Sequence, residues 1–160
     1  MSAAREVHAA LLRRAETVAV AESLTGGLVA AALTDVAGAS ATFRGGLVVY
    51  ATDLKTALAG VPASMIDAHG PVHTDVAAAL ASGARRVCGA DWGIGLTGVA
   101  GPEPQGGREV GTLEIGLSSA RGTTSQSMRL AGDRSQIRAG AVAAALSALL
   151  GRLVGAEEGN

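Results

Sequence analysis

The chain has 160 residues, of which 48% are hydrophobic and three are aromatic, and its formal net charge is −1. This length and composition predict one folded domain over residues 1–160, with an ordered core over about 5–152, and exclude a disordered chain. The missing basic excess argues against a nucleic-acid partner. The lone cysteine excludes an intramolecular disulfide.

The N-terminal half alternates helical and strand patterns. No apolar run approaches the roughly 20 residues of a membrane span, and the N-terminus is amphipathic rather than signal-like. We therefore expect a cytoplasmic protein without a membrane partner. Periodicity and turn residues predict a helix over 3–15, a buried strand over 17–21, a helix over 26–35, a loop over 38–46, a strand over 47–51, a helix over 53–59 and a turn of helix after Pro62.

The C-terminal half ends in a hairpin and a long helix. The patterns predict a helix over 74–87, a strand over 92–97, a Gly/Pro-rich loop over 98–107, strands over 111–118 and 124–130, a helix over 133–153 and a loose tail over 155–160. Short connections containing glycine favour an antiparallel pairing of the last two strands. The fold class predicted is a three-layer α/β/α sandwich with a mixed, mainly parallel sheet that includes an antiparallel hairpin.

The stretch AESLTGG places polar residues at a strand-to-helix turn, where open α/β sheets tend to carry their chemistry. The hydroxyl of Ser23 lies there near backbone N–H groups at the start of a helix, from about Thr25, Gly26 and Gly27. Such donors can stabilise an oxyanion, so Ser23 is a candidate nucleophile. Serine or threonine at this position also caps helices routinely, and the local pattern leaves both readings open.

A serine nucleophile needs a base, and the chain has one lysine, Lys55, among 13 basic residues. A partly buried lysine can lose its proton near neutral pH, whereas arginine cannot. Tyr50 ends the strand that leads toward Lys55, so a Ser–Lys pair with a tyrosine relaying or orienting a proton is one coherent arrangement. A solvated helix lysine is the alternative. The histidines flanking Gly70–Pro71 have no partner at metal-ligand spacing, and we predict no metal site.

Two further polar segments follow strands. The loop over 96–102 supplies backbone donors that could form a nest for an anion, although it lacks the P-loop and the dinucleotide fingerprint. Arg134 lies between the last strand and the final helix, where its guanidinium could clamp a phosphate or carboxylate in a bidentate manner or pair with a neighbouring acid.

Taken together, these segments resemble the C-terminal domain family of the competence-damage-inducible protein CinA over about residues 5–152. Six stretches carry the resemblance in order: AESLTGGLVAAALTDVAGAS at 21–40, FRGGLVVYATDLK at 43–55, HGPV at 69–72, LTGVAGP at 96–102, VGT at 110–112 and AGDR at 131–134. Stand-alone members of that family are nicotinamide-nucleotide amidases. The resemblance therefore implies hydrolysis of the carboxamide of nicotinamide mononucleotide to nicotinate mononucleotide and ammonia, in pyridine nucleotide recycling.

The resemblance also implies site residues. The family's catalytic serine, lysine and tyrosine match Ser23, Lys55 and Tyr50 of this sequence. We expect no cofactor, a small-molecule nucleotide substrate and a homo-oligomer, with a dimer favoured. The residues expected to bind the substrate are Glu22, Thr97, Gly98, Gly101 and Arg134, and the backbone of Thr25, Gly26 and Gly27 would hold the oxyanion.

The sequence departs from the family pattern at several positions. Leu24 replaces a usual cysteine, and Ala51-Thr52-Asp53 and His73-Thr74 differ from the usual residues. The loop over 103–109 is shortened and lacks a usual lysine. Substrate identity is therefore the weaker part of the expectation. A nucleotide-binding regulatory module without turnover, and an amidase for another small amide, are the alternatives.

Overall fold

The computed structural model describes residues 1–155 and has a central five-stranded sheet between two layers of helices. Residues 156–160, in the region where the sequence predicts a loose tail, lie outside the described residues. The helices are α1 Ala3–Arg14, α2 Leu28–Thr34, α3 Thr52–Ala59, α4 Ala63–His69, α5 Thr74–Cys88 and α6 Arg134–Gly155, with a 3₁₀ turn over Ala39–Ala41. The strands are β1 Val18–Glu22, β2 Phe43–Val48, β3 Trp92–Gly98, β4 Thr112–Ser119 and β5 Gly122–Arg129.

The sheet has the order β2-β1-β3-β4-β5 and is mixed. Strand β1 pairs in parallel with β2 and β3, whereas β4 is antiparallel to both β3 and β5. Four strands thus run in one direction and only β4 opposes them. Helices α1, α2 and α6 cover one face, and α3, α4 and α5 cover the other. The predicted three-layer sandwich with a mainly parallel sheet and an antiparallel hairpin is confirmed.

Glycines on the sheet allow α5 to lie directly against it. A Cβ built on Gly93 would clash with the carbonyl oxygen of Ala81, and one on Gly95 or Gly116 would clash with the carbonyl oxygen of Ala77. Side chains at these positions would push the helix away from the sheet. With so few aromatic residues, the core is built by this close approach and by small aliphatic side chains.

The predicted bounds of β2 are wrong. The strand begins at Phe43, inside the predicted loop, and ends at Val48, whereas the sequence predicts a strand over 47–51. The glycines caused the error because Gly45 and Gly46 are typical of loops. In the structure Gly46 is required by packing, since a Cβ there would lie 2.9 Å from Cγ2 of Val20 on the neighbouring strand. Because β2 ends at Val48, Tyr50 lies in the loop after the strand rather than at the end of it.

The sequence prediction that no apolar segment is long enough to cross a membrane is wrong for the final helix, α6. Its 22 residues meet that test by length and composition. In the structure one side of the helix is buried in the core beneath the sheet, as in the core helix of a soluble domain. The buried residues of α6 are Ile137, Ala141, Ala145, Leu146, Leu149 and Leu153.

Candidate active site

Ser23 lies in the turn between β1 and α2, and its hydroxyl does not cap the helix. The N–H groups of the second and third residues of α2 are instead bound by the carboxylate of Glu22, whose oxygens accept from the backbone N–H of Val29 at 2.9 Å and of Ala30 at 3.1 Å. A carboxylate at a helix N-terminus is favourable because it meets both unpaired donors and the positive end of the helix dipole. The capping alternative for Ser23 and Thr25 is therefore wrong.

The same contacts correct the prediction that Glu22 binds substrate. Its side chain is fully buried and both its oxygens are already bonded to the helix. Burying a carboxylate is costly unless such bonds compensate for the lost hydration. Glu22 therefore stabilises the turn and the start of α2. It does not line the cleft.

Lys55 reaches Ser23 from the first turn of α3, on the opposite side of the sheet from α2. Its Nζ lies 3.1 Å from Ser23 Oγ and donates to the carbonyl oxygens of Val49 at 2.9 Å and Tyr50 at 3.3 Å. The Lys55 residue is only 2% exposed. Burial lowers the pKa of its ammonium group, because a charged group loses hydration in the interior. The structure brings together the serine and lysine predicted from sequence.

Tyr50 contributes a different group from the one predicted. Its carbonyl oxygen accepts from Lys55, while its hydroxyl accepts from Nη2 of Arg134 at 3.3 Å. The side chain is largely exposed, at 61%. Within residues 1–155 no hydrogen bond joins the phenol to Ser23 or Lys55, so this geometry does not support the predicted proton relay.

The backbone donors of the serine turn are only partly available. The N–H of Gly26, one of the three predicted oxyanion donors, bonds to the carbonyl of Ser23 at 3.1 Å. The N–H groups of Leu24, Thr25 and Gly27 have no acceptor within the described chain. Thr25 is fully buried, and its Oγ1 likewise has no partner among residues 1–155. Of these three residues only Leu24 lines the cleft above Ser23, so its N–H, which the sequence did not single out, is the best placed of them to bind an oxyanion.

A cleft opens above the Ser23–Lys55 pair, with a volume of about 110 Å³. Arg134 lies at its edge and donates to the carbonyl of Gly101 at 2.6 Å, which ties the loop after β3 to the start of α6. The hydroxyl of Thr97 donates to the carbonyl of Pro71 at 2.8 Å. The predicted residues that line this cleft are Ser23, Tyr50, Lys55, Thr97, Gly98, Gly101 and Arg134, joined by Leu24, Thr52, Pro71, Val72, Val99, Ala100, Glu103 and Gln105.

The histidines have a partner that the sequence did not reveal. His69 Nε2 and His73 Nδ1 lie 3.7 and 3.8 Å from Oδ2 of Asp75, and the three ligand atoms lie within 4.8 Å of one another. The two imidazole rings are stacked, with centroids 4.1 Å apart and planes 8° from parallel. Because the lone pair of an imidazole nitrogen lies in the plane of its ring, one metal ion cannot meet both rings in this arrangement.

Sequence reasoning missed Arg138. Its Nε donates to the carbonyl of Leu24 at 2.9 Å, and its Nη2 donates to the carbonyl of Thr25 at 3.3 Å. Arg138 follows Arg134 by one helical turn, so both side chains lie on the same face of α6. The spacing of four residues could have indicated Arg138 from the sequence, because two residues at this spacing on a helix lie side by side and Arg134 was already a candidate.

Comparison with known proteins gives a match over nearly the whole chain. The family model described as "CinA C-terminal domain" matches residues 1–153. A CinA-like protein of Frankia casuarinae is 52% identical over 145 residues, which are 91% of this chain and 34% of that protein. A CinA-like protein of Anaeromyxobacter dehalogenans strain 2CP-C is 47% identical over 146 residues, 89% of this chain and 35% of that protein. The chain thus spans about a third of the length of these curated relatives.

Solved structures agree with the fold. A CinA superfamily protein from Klebsiella pneumoniae 700603 superposes with a TM-score of 0.92 at 31% identity, covering 95% of this chain and 96% of that one. The competence/damage inducible protein CihA from Agrobacterium tumefaciens superposes with a TM-score of 0.90 at 32% identity, covering 94% and 93%. These proteins share the three-layer arrangement that places Ser23 and Lys55 together here.

Proposed function

Because the chain belongs to the CinA C-terminal domain family, we propose that it is an amidohydrolase in which Ser23 is the nucleophile and Lys55 is the base. The observation that carries the proposal is the 3.1 Å contact between Ser23 Oγ and Lys55 Nζ beneath an open cleft. The substrate proposed is nicotinamide mononucleotide, which would be converted to nicotinate mononucleotide and ammonia. The cytoplasmic location and the homodimer remain predictions from the sequence.

The contacts of Lys55 suit a neutral amine. An unprotonated amine has two hydrogens and one lone pair, and two carbonyl oxygens, of Val49 and Tyr50, are placed to accept the two hydrogens. The lone pair then faces the hydroxyl of Ser23, within the distance that proton transfer requires. Burial favours this neutral form because it lowers the pKa of the ammonium group. The pair is therefore arranged for the amine to take the serine proton.

Acylation would proceed in two steps. Ser23 Oγ bonds to the carboxamide carbon while its proton passes to Lys55, and the carbonyl electron pair moves onto oxygen to give a tetrahedral oxyanion. Backbone N–H groups of the serine turn would stabilise that charge. The oxyanion then reforms the carbonyl as the C–N bond breaks. The nitrogen takes the proton from Lys55 and leaves as ammonia, so that an ester to Ser23 remains and Lys55 is neutral again.

Deacylation would use the same groups. A water molecule gives a proton to Lys55 as its oxygen bonds to the ester carbon, and a second oxyanion forms at the same donors. The ester C–O bond then breaks, and Ser23 Oγ takes the proton back from Lys55. The acid product leaves and the pair is restored. No group beyond the serine, the lysine, the backbone donors and water takes part in this sequence.

The rest of the cleft supports a polar substrate. Arg134 supplies a positive charge at its edge, and the end of β3 and the loop after it line the cleft at Gly98 and Gly101. We assign the ribose and phosphate to these elements, because guanidinium groups and backbone N–H groups are the usual partners of phosphate. Glu103 also lines the cleft, and its charge would disfavour an anionic group placed beside it.

The experiment that tests the proposal is ammonia release from nicotinamide mononucleotide by purified protein treated with a chelator, with the nucleotide product identified by chromatography. We expect turnover by the wild-type chain and none by Ser23→Ala. Ser125→Ala, on the exposed surface of β5, is the matched control and should retain full activity. Full activity of Ser23→Ala would reject the mechanism.

The same assay separates the alternatives. Release of ammonia from another small amide, but not from the nucleotide, would leave the Ser–Lys chemistry and replace the substrate. Stabilisation of the wild-type protein by nicotinamide mononucleotide without any product, and equal affinity in Ser23→Ala, would favour a binding module without turnover.

A further inference from the structure

The loop between β3 and β4 carries a tight turn, here called the cleft arm (residues 103–108). The backbone N–H of Gln105 donates to the carbonyl of Arg108 at 3.1 Å, and the N–H of Arg108 donates to the carbonyl of Gln105 at 2.9 Å. Gly106 and Gly107, between them, have φ values of +57° and +74°, a pair that side chains rarely adopt and that such two-residue turns require. The turn therefore fixes the direction of the segment that leads into it.

One side of the cleft arm forms part of the cleft wall. Glu103 and Gln105 line the cleft, whereas Pro104 between them does not, and this alternation is that of an extended segment. The base of the arm is held in place because Nη1 of Arg134 donates to the carbonyl of Gly101 at 2.6 Å. The arm thus presents one carboxylate and one amide side chain to the space above the catalytic pair.

Glu103 carries the one carboxylate among the described residues that line the cleft, and this carboxylate is unpaired. The residue is exposed, and within residues 1–155 its side chain makes no hydrogen bond or ion pair. The guanidinium of Arg134, which lines the same cleft, donates to the carbonyl of Gly101 and the hydroxyl of Tyr50 instead. The cleft therefore has a negative and a positive charge that do not neutralise each other, an arrangement complementary to a ligand that carries both signs.

The proposed substrate is such a ligand, since its pyridinium ring is cationic and its phosphate is anionic. With the carboxamide at Ser23 and the phosphate at Arg134, the ring lies in the cleft between them. Arg134 repels the ring charge, and Lys55 is buried below it. Among the described side chains that line the cleft, the carboxylate of Glu103 is thus the charged group that attracts the ring. In a cleft of about 110 Å³, a charge on the wall acts on the ring without touching it.

We propose that Glu103 is a specificity-determining residue that selects substrates whose amide-bearing ring is positively charged. The inference rests on the proposed function and deepens it, because it names the substrate class as cationic pyridinium amides rather than neutral aromatic amides. The carboxylate attracts the ring in the ground state and in the transition state alike, so it acts on KM more than on kcat. The same charge disfavours the product, which has gained a carboxylate.

The first test measures binding without turnover, by calorimetry on Ser23→Ala. Nicotinamide mononucleotide is compared with its reduced form, which has the same carboxamide, ribose and phosphate but a neutral ring. Attraction between opposite unit charges about 4 Å apart is worth about fivefold in water and more where water is excluded. Adding Glu103→Gln should therefore weaken binding of the cationic form by about fivefold, whereas binding of the neutral form should stay the same.

Two further variants control for net charge and for the arm itself. Glu109→Gln removes an acid of the same loop that pairs with Arg129 and does not line the cleft, so it should leave both affinities unchanged. Glu103→Asp keeps the charge on a shorter side chain and should retain part of the preference for the cationic form. Added salt should weaken that preference, because it screens exposed charges. Thermal melting checks that each variant is folded.

Three results with Glu103→Gln would overturn the inference. An equal loss of affinity for the two forms would assign Glu103 a role in the structure of the arm. Tighter binding of both forms would show that its carboxylate faces the phosphate. Unchanged affinity for both forms would show that it is a solvated side chain without a role in recognition.

The ammonia assay separates this inference from the proposed function. In the wild-type background Glu103→Gln should raise KM for nicotinamide mononucleotide about fivefold and leave kcat within about twofold. A protein that binds the nucleotide with the charge preference but releases no ammonia would remove the amidase and support the role of Glu103. Turnover that does not depend on Glu103 would remove the inference alone. Absence of nucleotide binding would overturn both.

Discussion

Two polar turns lie beside the same cleft and differ in how their side chains are held. In the serine turn (residues 22–27), Glu22, Ser23 and Thr25 are buried, and the turn is bonded to Lys55 and Arg138 from distant parts of the chain. In the histidine turn (residues 69–75), the side chains of His69 and Asp75 are half exposed, and their polar contacts stay within the turn.

The difference shows why the less usual base is the better candidate. Histidine is the commonest general base because its ordinary pKa lies near neutrality, yet neither histidine of this turn has a nucleophile within hydrogen-bond distance among the described residues. Lysine is ordinarily charged at neutral pH, and here burial shifts its pKa downward. Burial and support from remote elements, rather than the residue type alone, decide which turn can carry the chemistry.

The strongest test of the claim that the base belongs to the serine turn is Lys55→Met, which keeps the length of the side chain and removes the amine. Loss of a general base typically lowers kcat by about 10²–10⁴-fold, and we expect a loss in that range in the ammonia assay. Circular dichroism and thermal melting would check that the variant is folded. Activity within twofold of wild type would show that the base lies elsewhere.

The pH dependence sharpens the comparison further. Because the folded-state pKa of Lys55 lies below its ordinary value of 10.5, kcat/KM should rise with pH and level off below that value. In the same interval the unfolded chain binds more protons at Lys55 than the folded chain. The free energy of unfolding of wild type, relative to Lys55→Met, should therefore rise with pH until the unfolded lysine also loses its proton. Denaturant titrations of both proteins between pH 6 and 10 would show a flat difference if Lys55 has an ordinary pKa.

Tyr50→Phe tests whether the phenol takes part in proton transfer. Among residues 1–155 its hydroxyl bonds only to Arg134, at the exposed edge of the cleft, and one such bond contributes about 0.5–1.5 kcal/mol. We expect kcat to change by less than about tenfold, with any effect appearing mainly in KM, since the carbonyl that holds Lys55 is unchanged. A loss of kcat as large as that of Lys55→Met would restore the relay that the sequence predicted.

The smallest effect is expected for His69→Gln in the histidine turn. The ring is exposed and its polar contact among residues 1–155 is with Asp75. Surface substitutions of this kind usually change free energies by less than about 0.5 kcal/mol. Activity and its pH profile should stay within about twofold of wild type. Loss of the rising limb of the profile in this variant would assign the base to the histidine turn.

Much of this architecture could be predicted from local pattern. Apolar periodicity located the strands and helices, except where Gly45 and Gly46 concealed β2, and the short connection between β4 and β5 indicated the hairpin. Ser23 was marked by its position after a buried strand, and Lys55 by being the single lysine of the chain. These features can be predicted from the sequence because they depend on residues that are neighbours in the chain, through helix and strand periodicity, or on composition alone.

Only the tertiary structure decided which atoms of those residues meet. The carboxylate of Glu22, predicted to bind substrate, accepts from N–H groups of α2 instead. Tyr50 contacts Lys55 through its carbonyl oxygen rather than through its phenol. Arg138 donates to a carbonyl of the serine turn, more than one hundred residues away in sequence. A sequence pattern tells which side of an element is buried, but not how two elements far apart in the chain are rotated against each other. Hydrogen bonds form or fail over less than an ångström, and that distance is set by the packing of helices on both faces of the sheet.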